Sequence, residues 1–272
     1  MRSVKIKEVI DALERFAPLP LQESYDNAGL QVGLTEAEVS GALLCLDVTE
    51  RVVDEAITKG CNLIVAHHPL IFRKLSQVTD ANYVQRTVIK AIKNDIVIVA
   101  MHTNLDAAFG GVNFKIAEKL RLRDVRFFGR EKVVTNPLTD KKVTGGDGVI
   151  GCFDTPLAAD DLILLLKKEF DVECVQANEL LRREIRTVAL CGGSGSFLLQ
   201  DAINAGADAF ITGEMGYHEF FGHEQEIQLC VIGHYQSEQY TTEVLRDVIE
   251  RDCPGVKCCI SEINTNPIVY FS

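Results

Sequence analysis

Short runs of apolar residues alternate with amphipathic stretches along most of this chain. Apolar side chains recur at helical spacing over residues 4–16 and 82–93, whereas residues 61–66 and 96–101 are short and almost continuously apolar. Runs of the second kind have the length expected of buried strands. Strands that alternate with helices of this length predict β-α-β units, right-handed crossovers and a mainly parallel sheet.

The same alternation continues to the end of the chain. Helices are predicted at 4–16, 50–59, 82–93, 112–121, 158–169, 197–205, 217–224 and 240–251. Strands are predicted at 42–46, 61–66, 96–101, 149–153, 172–176, 187–191, 209–212, 228–232, 256–260 and 267–271. Residues 23–30 are interpreted as a polar loop, and residues 131–157 as a less regular connection between two halves, 1–130 and 131–272.

The second half of the chain repeats the first. Residues 55–64 align with residues 201–210, with Ala, Ile and Gly in register. The next strand of each half ends in a histidine that is followed four residues later by a carboxylate. These pairs are His102 with Asp106 and His234 with Glu238. We therefore expect an α/β fold of two similar β-α-β-α-β halves, with mainly parallel sheets and a metal site in the cleft between them.

Two adjacent histidines, His67 and His68, end the apolar run 61–66, and Pro69 stops the strand. Neighbouring side chains on a strand point to opposite faces, but the backbone turns at the end of a strand, where both imidazoles can lean towards one cleft. The carboxyl ends of strands are also where open α/β sheets bind ligands. The alternative is a surface histidine pair beside a turn.

Most histidines follow predicted strands, in loops or at helix starts, whereas His223 is interpreted as a solvated surface residue. Imidazole and carboxylate are the ligands that borderline divalent metals prefer. Two duplicated halves can bring five such ligands to one cleft: His67, His68, Asp106, His234 and Glu238. Five ligands are too many for one tetrahedral zinc and suit two metals about 3.5–4 Å apart. The alternative is that these residues only cap helices and form turns.

Composition and charge narrow the class of partner. The chain has 272 residues, of which 47% are hydrophobic and 25% charged, and its formal net charge is −11. The acidic balance argues against nucleic acid and anionic membranes as partners. No apolar run is long enough to span a bilayer and residues 1–16 contain no signal-peptide core, which predicts a cytoplasmic protein. The nine cysteines, an odd number without a CxxC motif, are interpreted as packing residues and not as disulfides.

Four segments carry a specific resemblance to a known family. They are residues 66–72 (AHHPLIF), 101–106 (MHTNLD), 212–214 (TGE, with Asp208 before it) and 233–238 (GHYQSE). Over nearly its whole length the chain resembles the NIF-three-like proteins, which are also named GTP cyclohydrolase I type 2 homologues or dinuclear metal-centre proteins. Residues 26–30 (DNAGL) are similar to the family's N-terminal Asp-Asn-x-Gly signature.

This resemblance implies two intertwined α/β halves that share a dinuclear centre. It implies that His68 and Asp106 hold one ion, that His67 and His234 hold the other, and that Glu238 bridges the two. It also implies a toroidal homohexamer whose metal sites face the interior. Longer members carry an inserted domain, for which the connection at 131–157 is too short here. The donor types suit two divalent ions per subunit, drawn from Zn, Fe, Mn, Ni or Co.

Two kinds of function fit these expectations. The first is a metal-dependent hydrolase acting on a small molecule, a nucleotide or a related phosphate or cyclic amide, which is GTP cyclohydrolase-like by resemblance. His102, which has no assigned metal, would then support the metal ligands without binding an ion itself, or act as the general acid/base. The alternative is a non-catalytic metal-binding scaffold, a metal chaperone or a regulatory interaction protein.

Three further features remain open in the sequence. The Gly-rich turn 192–196 (GGSGS) could cradle a phosphate at a helix N-terminus, or could simply be a tight turn. Glu214 and His218 occupy the position in the repeat that corresponds to His67 and His68, so they could line the same cleft. Glu214 could equally cap a helix start.

Overall fold

Helices and strands alternate through the computed structural model of the protein, which describes residues 3–271. The helices are α1 (Ile6–Phe16), α2 (Glu50–Lys59), α3 (Tyr83–Lys93), α4 (Thr103–Ala107), α5 (Val112–Lys119), α6 (Ala159–Glu169), α7 (Leu199–Asn204), α8 (His234–Glu238) and α9 (Thr241–Asp252). The strands are β1 (Gly29–Val32), β2 (Ala42–Cys45), β3 (Leu63–Ala66), β4 (Val97–Ala100), β5 (Arg123–Thr135), β6 (Lys142–Leu157), β7 (Gln176–Ala177), β8 (Ile185–Cys191), β9 (Ala209–Thr212), β10 (Gln228–Val231) and β11 (Cys258–Ile260).

Local sequence signals place most of these elements within a few residues of the predicted bounds. Helix α2 coincides with the predicted helix 50–59 because both of its ends are specified. The Thr49 hydroxyl accepts a hydrogen bond from the Val52 N–H, and Gly60 adopts a left-handed φ of 69° after the last turn. An N-terminal cap of this type contributes about 1 kcal/mol to helix stability.

The prediction of an irregular connection at residues 131–157 was wrong. This region belongs to β5 and β6, which are 13 and 16 residues long and adjacent in one sheet. Much of β5 is exposed on both faces, so its sequence lacks the apolar run by which the other strands were recognised. The turn between the strands is closed by the Asn136 carbonyl, which accepts from the Asp140 N–H at 2.9 Å.

Two other local predictions were also wrong, and a third was only too long. The polar loop predicted at 23–30 is a loop over residues 23–28, and its last two residues belong to β1, which pairs antiparallel with β4. The helix predicted at 217–224 is only a short 3-10 turn, Tyr217–Phe220. The strand predicted at 267–271 does not form, and in the segment before it the side chains of Asn264 and Asn266 bond the backbone two residues further on.

The chain forms two compact units, each assembled from separate segments. Unit 1 comprises Met1–Leu105, Thr135–Lys142 and Thr241–Ser272, and unit 2 comprises Asp106–Val134 and Val143–Tyr240. The units therefore differ from the expected halves 1–130 and 131–272, of which residues 1, 2 and 272 lie outside the described part of the chain. The last segment joins unit 1 because α9 packs against α1 and β11 pairs with β2.

Unit 1 contains a five-stranded sheet in the order β1-β4-β3-β2-β11. Strands β2, β3, β4 and β11 are parallel, whereas β1 is antiparallel to β4. Every residue of β2, β3 and β4 is buried, as expected for parallel strands that are covered on both faces. The carboxyl ends of β2, β3 and β4 lie at one edge of this sheet, and the residues that follow these strands come together there.

Unit 2 contains a six-stranded sheet in the order β5-β6-β8-β9-β10-β7. Strands β8, β9 and β10 are parallel, and β6 and β7 are antiparallel to their neighbours β8 and β10. A core that includes Phe128, Leu198, Phe210 and Leu229 covers one face of the sheet. The mixed α/β fold with two sheets of mainly parallel strands, as predicted, is confirmed.

The same topology occurs in both sheets. In each, three parallel strands follow one another in chain order, and an antiparallel strand flanks the third: β1 beside β4, and β7 beside β10. A five-residue helix follows the third strand in both cases, α4 in one and α8 in the other. This correspondence supports the internal duplication inferred from the sequence.

Candidate metal centre

Three imidazoles of unit 1 lie together just beyond the carboxyl ends of β3 and β4. His67, His68 and His102 each offer a ligand atom within 4.8 Å of the others, and their ring centroids are 4.8–5.4 Å apart. Parallel strands deliver them to one place because β3 and β4 are neighbours in register. We call these three residues the imidazole cluster.

The orientation of His67 is set by a backbone carbonyl. Its imidazole is fully buried, and Nδ1 lies 2.8 Å from the carbonyl oxygen of Met101. A carbonyl can only accept, so Nδ1 carries the hydrogen and the lone pair of the neutral ring is on Nε2. This tautomer is the one that metal-binding histidines adopt when their second nitrogen is held by an acceptor.

A partly exposed carboxylate orients His68 in the same way. Nδ1 of His68 lies 2.7 Å from Oδ1 of Asp47, and the hydroxyl of Thr265 donates to Oδ2 at 2.7 Å. Burial alone would raise the pKa of Asp47, but the hydrogen bonds from His68 and Thr265 outweigh it and hold the pKa below its usual range. Asp47 is therefore an acceptor, and His68 also presents the lone pair of Nε2.

His102 is held by a second carboxylate. Its Nδ1 lies 2.7 Å from Oδ1 of Asp26, while Oδ2 accepts from both the N–H and the hydroxyl of Thr103. Burial would raise the pKa of Asp26, but the hydrogen bonds from His102 and Thr103 lower it to about 2. All three imidazoles are thus oriented through Nδ1 by an oxygen that accepts.

Sequence reasoning did not identify Asp47 or Thr265 as part of the site, and it left Asp26 in a loop whose role came only from the family resemblance. A signal for Asp47 was present, since it follows β2 by two residues. This is the position that His68 has after β3. Thr265 has no comparable local signal, because only the tertiary structure brings it to Asp47.

Unit 2 contains a second group of potential ligands, which we call the carboxylate cluster: Asp106, His234 and Glu238. Nε2 of His234 lies 3.1 Å from Oε2 of Glu238, since the two residues are one turn apart on α8. Asp106 and Glu238 offer oxygen atoms within 4.8 Å of one another. Glu238 is 4% exposed, and an ionised carboxylate at such a position needs compensation by hydrogen bonds or a cation.

Glu214 orients His234, as Asp26 and Asp47 orient their imidazoles. Its Oε1 lies 2.9 Å from Nδ1 of His234, and its other oxygen accepts a hydrogen bond from the hydroxyl of Ser194. The duplicated position of Glu214 after β9 brings it to this cluster, whereas the contacts of the exposed His218 are with the rings of Tyr217 and Phe221.

The Gly-rich turn at 192–196 is bonded to side chains of its own unit. The N–H groups of Gly192, Gly193 and Gly195 donate to the side chains of Asn113, Ser237 and Thr212. Because these three donors are already engaged, the turn is better interpreted as a structural tight turn than as a phosphate cradle. Gly193, at φ 58°, also passes so close to Glu238 that a Cβ there would lie 2.3 Å from Oε1.

Cys191 lies beside the carboxylate cluster but does not share its chemistry. Burial, followed by the negative charges of Asp106 and Glu238, raises the pKa of its thiol well above the usual range. Its Sγ lies 3.3 Å from the carbonyl oxygen of Asp147, a distance suited to a thiol donor. Cys191 is therefore a protonated packing residue next to the site.

His223 lies outside both clusters. Its Nδ1 is 2.9 Å from Oε2 of Glu226.

Comparison with known protein families identifies the family of this chain. The sequence model of the family Duf34/NIF3 (NGG1p interacting factor 3) matches residues 4–267. The chain belongs to the Duf34/NIF3 family. The resemblance drawn from the segments around His67, His102 and His234 is thereby confirmed.

The following relatives and solved structures match this Duf34/NIF3 chain over 90–100% of their own length. A GTP cyclohydrolase 1 type 2 homolog of Clostridium perfringens is 33% identical over 271 residues, covering 98% of this chain and 100% of the relative. The homolog of the same name from Clostridium acetobutylicum is 32% identical over 251 residues, covering 91% and 90%. A solved Staphylococcus aureus protein has a TM-score of 0.88 at 28% identity, covering 99% of this chain and 100% of that one. A Bacillus cereus protein related to NIF3 has a TM-score of 0.86 at 25% identity, covering 100% of both chains.

The donor set of this Duf34/NIF3 chain fits a metal. Imidazole nitrogens and carboxylate oxygens are the ligands of borderline divalent ions, and groups of His, Asp and Glu that could hold such an ion are present. The imidazole cluster supplies His67, His68 and His102, and the carboxylate cluster supplies Asp106, His234 and Glu238. Among residues 3–271, no helix combines the length and the apolar character needed to cross a membrane.

Proposed function

We propose that this chain binds two divalent metal ions in one centre formed by the imidazole and carboxylate clusters, and that it is a metal-dependent hydrolase. The observation that carries the proposal is the common orientation of the three imidazoles. In each, Nδ1 is held by a carbonyl or carboxylate oxygen, so that the lone pair is on Nε2. This nitrogen would bind metal in His67 and His68 and accept a proton in His102. Three histidines that merely packed in a core or capped helices would have no reason to share this arrangement.

The proposed ligands are those expected from the sequence. His68 and Asp106 would hold one ion, His67 and His234 the other, and Glu238 would bridge them. The buried position of Glu238 supports this role, because a cation would compensate the charge of a carboxylate that is largely removed from water. The donors suit Zn, Fe, Mn, Ni or Co, between which cells select by availability as much as by affinity.

When bound, divalent ions supply Lewis acidity that polarises a carbonyl or phosphoryl oxygen and lowers the pKa of water. His102 would act as the general acid/base of the hydrolysis. Asp26 holds its Nδ1 and keeps the ring in the tautomer whose Nε2 can accept a proton, and the same carboxylate would stabilise the imidazolium that results. Asp26 is thus a positioning residue in this scheme.

The substrate class proposed is a nucleotide or a related phosphate or cyclic amide. Its support is the name shared by the relatives, GTP cyclohydrolase 1 type 2 homolog, together with the capacity of the donor set to activate water. A homohexameric assembly and a cytoplasmic location belong to the same proposal and derive from the family resemblance and from the sequence.

A second candidate is a non-catalytic metal-binding scaffold. One observation favours it: the ligand atom of His102 lies within 4.8 Å of those of both His67 and His68. If all three imidazoles bind metal, His102 is not available as an acid or base, and the site stores or presents ions without turnover.

The decisive experiment is the variant His102→Ala, compared with His223→Ala. His223 is a histidine bonded to Glu226 and lies outside both clusters, so its variant controls for the loss of an imidazole. Metal content of natively purified protein is measured by elemental analysis, and hydrolysis is screened over nucleotides, phosphodiesters and cyclic amides.

The hydrolase proposal predicts about two ions per chain in all three proteins and hydrolysis that is lost only in His102→Ala. Loss of about one ion in His102→Ala, together with no turnover of any substrate class by the wild type, would replace it with the scaffold. Fewer than one ion per chain in the wild type, even after incubation with Zn, Fe, Mn, Ni and Co, would exclude both.

A further inference from the structure

The segment that follows the histidine pair passes directly beside the imidazole cluster. The ring of Phe72 lies against the ring of His102 in an edge-to-face arrangement, with the two centroids 6.2 Å apart and the two planes at 84°. This separation lies in the favourable range for aromatic pairs. Phe72 is nevertheless 45% exposed. Its ring therefore packs against a residue of the candidate site and presents its remaining surface to solvent.

The segment is fixed at Ile71 through both of its backbone polar groups. The side-chain amide of Asn27 donates to the carbonyl oxygen of Ile71 at 2.6 Å, and the N–H of Ile71 donates to the side-chain oxygen of Gln31 at 3.1 Å. The amide nitrogen of Gln31 in turn donates to the carbonyl oxygen of Asn27 at 2.6 Å. Asn27 directly follows Asp26, which orients His102 through Nδ1. The two segments that contact His102 are thus bonded to each other.

Apolar side chains anchor the segment at both of its ends. Ile71 and Leu75 are partly buried and pack against the core of unit 1 around Ile64. The three residues between them, 72–74 (Phe-Arg-Lys), are exposed. Residues 72–74 therefore form a short projection that is held on both sides, which we call the cationic segment.

The two cations of this segment follow Phe72 directly. The Cα atom of Arg73 lies about 3.8 Å from that of Phe72, as for any consecutive residues, and Lys74 is one residue further. Both side chains are longer than this spacing and end in hydrogen-bond donors. Their charged ends can therefore reach the solvent beside His102 that the ring of Phe72 borders.

No carboxylate of the described chain neutralises these cations. Lys59, also in unit 1, forms an ion pair at 2.9 Å, whereas within residues 3–271 no ion pair or hydrogen bond engages the side chain of Arg73 or Lys74. The carboxylates of unit 1 that contact the imidazole cluster, Asp26 and Asp47, are occupied through both oxygens. In a chain whose formal net charge is −11, two positive charges beside the candidate site are thus left for an anion from solution.

The two types of cation indicate the kind of anion. The guanidinium of arginine is planar and matches a phosphate group with two parallel hydrogen bonds, and the ammonium of lysine adds a compact point charge. A phosphate bound by both would lie at the border of the imidazole cluster, next to the residue proposed as the general acid/base.

We propose that Arg73 and Lys74 bind the phosphate group of the substrate, and that Phe72 holds the cationic segment beside His102. The inference rests on the proposed function and narrows its substrate class. The substrate carries a phosphate, as a nucleotide or a phosphoester does, and is not an uncharged cyclic amide. Arg73 and Lys74 determine specificity in this scheme and take no part in proton transfer.

The test uses the full chain and three probes: guanosine 5′-monophosphate, ribose 5-phosphate and guanosine. Binding is measured by titration calorimetry at low ionic strength, where screening is weak, with protein treated with a chelator and with protein reloaded with Zn²⁺. The variants are Arg73→Ala, Arg73→Lys and Lys74→Ala. Lys93→Ala is the matched control, because Lys93 is an exposed lysine of unit 1 that precedes β4, whereas the imidazole cluster lies beyond the opposite ends of β3 and β4.

We expect Arg73→Ala and Lys74→Ala each to weaken both phosphate-bearing probes about tenfold, as for the loss of one hydrogen bond to a charged group, and to leave guanosine unchanged. Arg73→Lys keeps the charge but loses the paired donors, so it should lose less than Arg73→Ala. Lys93→Ala should bind all three probes like the wild type. Metal content by elemental analysis and stability in urea should remain those of the wild type, because the replaced side chains are exposed.

Phosphate-bearing probes that bound Arg73→Ala and Lys74→Ala as tightly as Lys93→Ala would overturn the proposal. So would a wild type that bound no phosphate-bearing probe in either form, or that bound guanosine as tightly as its monophosphate. Weaker binding that came with a loss of metal or stability would identify a structural role and would also reject the proposal.

The cationic segment and the metal proposal fail separately. Binding of guanosine 5′-monophosphate that depends on Arg73 in a protein without stoichiometric metal would support the cationic segment and reject the dinuclear centre. A protein with two ions whose binding of this probe did not depend on Arg73 or Lys74 would do the reverse.

Discussion

Nδ1 of His102 lies 2.7 Å from Oδ1 of Asp26, a carboxylate whose side chain is 0% exposed. The other oxygen of Asp26 accepts from the N–H and the hydroxyl of Thr103, the residue that begins α4. The loop before β1 and the segment after β4, 76 positions apart in the chain, are thereby joined by one buried carboxylate. Asp26 therefore fixes the ring of His102 and the start of the helix that follows it.

Replacing this carboxylate by an amide should impair the acid/base role proposed for His102. In Asp26→Asn the amide nitrogen must face either the Nδ1–H of His102 or the donors of Thr103, so one bond to a donor is lost. We expect hydrolysis to slow about 100-fold or more, because general acid–base catalysis contributes about 10²–10⁴-fold, and the metal content to remain that of the wild type. We also expect the free energy of unfolding of the metal-free protein, prepared with a chelator, to fall by about 1–3 kcal/mol.

Turnover of the substrate found in the hydrolysis screen measures the catalytic effect, elemental analysis measures the metal content, and urea unfolding followed by circular dichroism measures the stability. Glu36→Gln is the control, because Glu36 pairs with Lys5 on the surface and is far more exposed. The role assigned to Asp26 would be refuted by turnover equal to that of Glu36→Gln.

The low pKa of Asp26 predicts a defined loss of stability in acid. Its pKa is about 2 in the folded protein and about 3.9 in an unfolded chain. A carboxyl whose pKa is depressed on folding stabilises the protein above the unfolded value, and this contribution is lost as the pH falls from about 4 towards 2. The contribution is at most about 2.6 kcal/mol before any screening by solvent.

Urea unfolding of the wild type and of Asp26→Asn at pH 5, 4 and 3, both freed of metal with a chelator, isolates the contribution of this carboxyl to stability. The difference in unfolding free energy between the two proteins should shrink as the pH falls. A difference that stayed constant from pH 5 to pH 3 would mean that Asp26 does not titrate in this way.

The sequence predicts the strands that carry the site because those strands are almost wholly apolar. Residues 63–66 and 97–100 are buried throughout, so their apolar runs are unambiguous, and the histidines that follow them are recognisable as strand-end residues. The long strand at 123–135 was missed for the opposite reason. Charged residues recur along it and most of its positions are exposed, so neither alternation nor an apolar run marks it.

The residues that orient the imidazoles are harder to predict than the imidazoles themselves. The bond between Thr265 and Asp47 joins positions 218 residues apart, and the bond between Glu214 and His234 joins different strand ends. No local period connects such pairs, and only the register of the sheets brings them together. The duplication did give a signal for Glu214, because Glu214 follows β9 as the two histidines follow β3.

The hydroxyl of Thr265 should contribute to the position of His68 through Asp47. Thr265→Val keeps the shape of the side chain and removes the donor to Oδ2 of Asp47. We expect a loss of about 1 kcal/mol in stability, as for one neutral-to-charged hydrogen bond that is partly compensated by water. We also expect a loss in metal affinity that is smaller than that caused by Asp47→Asn.

Thr58→Val is the matched control for this substitution, because the Thr58 hydroxyl donates to a carbonyl within α2, away from both clusters. Both variants are titrated with Zn²⁺ against a chromophoric chelator. If Thr265→Val binds as tightly as Thr58→Val, the hydroxyl has no part in orienting His68.

The thiols of the chain should differ sharply in reactivity. Cys174 is exposed, whereas Cys191 is buried and its pKa is raised by burial and by the carboxylates near it. Because the thiolate is the reactive form, a maleimide at pH 7.5 should modify Cys174 in the folded protein and leave Cys191 intact. Peptide mapping by mass spectrometry after a timed reaction measures both rates, with Cys174→Ser and a urea-unfolded sample as controls. Equal rates at the two positions in the folded wild type would contradict the assignment of Cys191 as a protonated packing residue.

Gly193 should be required for the position of the Glu238 carboxylate, and a second glycine allows this to be tested without ambiguity. Gly193 and Gly206 both have a left-handed backbone, with φ 58° and 74°. A Cβ at Gly193 would lie 2.3 Å from Oε1 of Glu238, whereas a Cβ at Gly206 would meet nothing within 4 Å. Gly206→Ala therefore carries the backbone cost alone, about 1–2 kcal/mol.

Gly193→Ala carries a similar backbone cost and must also displace Glu238. We expect it to lower the unfolding free energy by more than Gly206→Ala does, and to reduce metal affinity at least tenfold, whereas Gly206→Ala should bind metal like the wild type. Urea unfolding of the metal-free proteins gives the unfolding free energy, and competition for Zn²⁺ with a chromophoric chelator gives the metal affinity. If the two variants lost equal stability and kept equal affinity, Glu238 would have room to move, and its assignment as the bridging ligand would lose the support of its close packing against the Gly-rich turn.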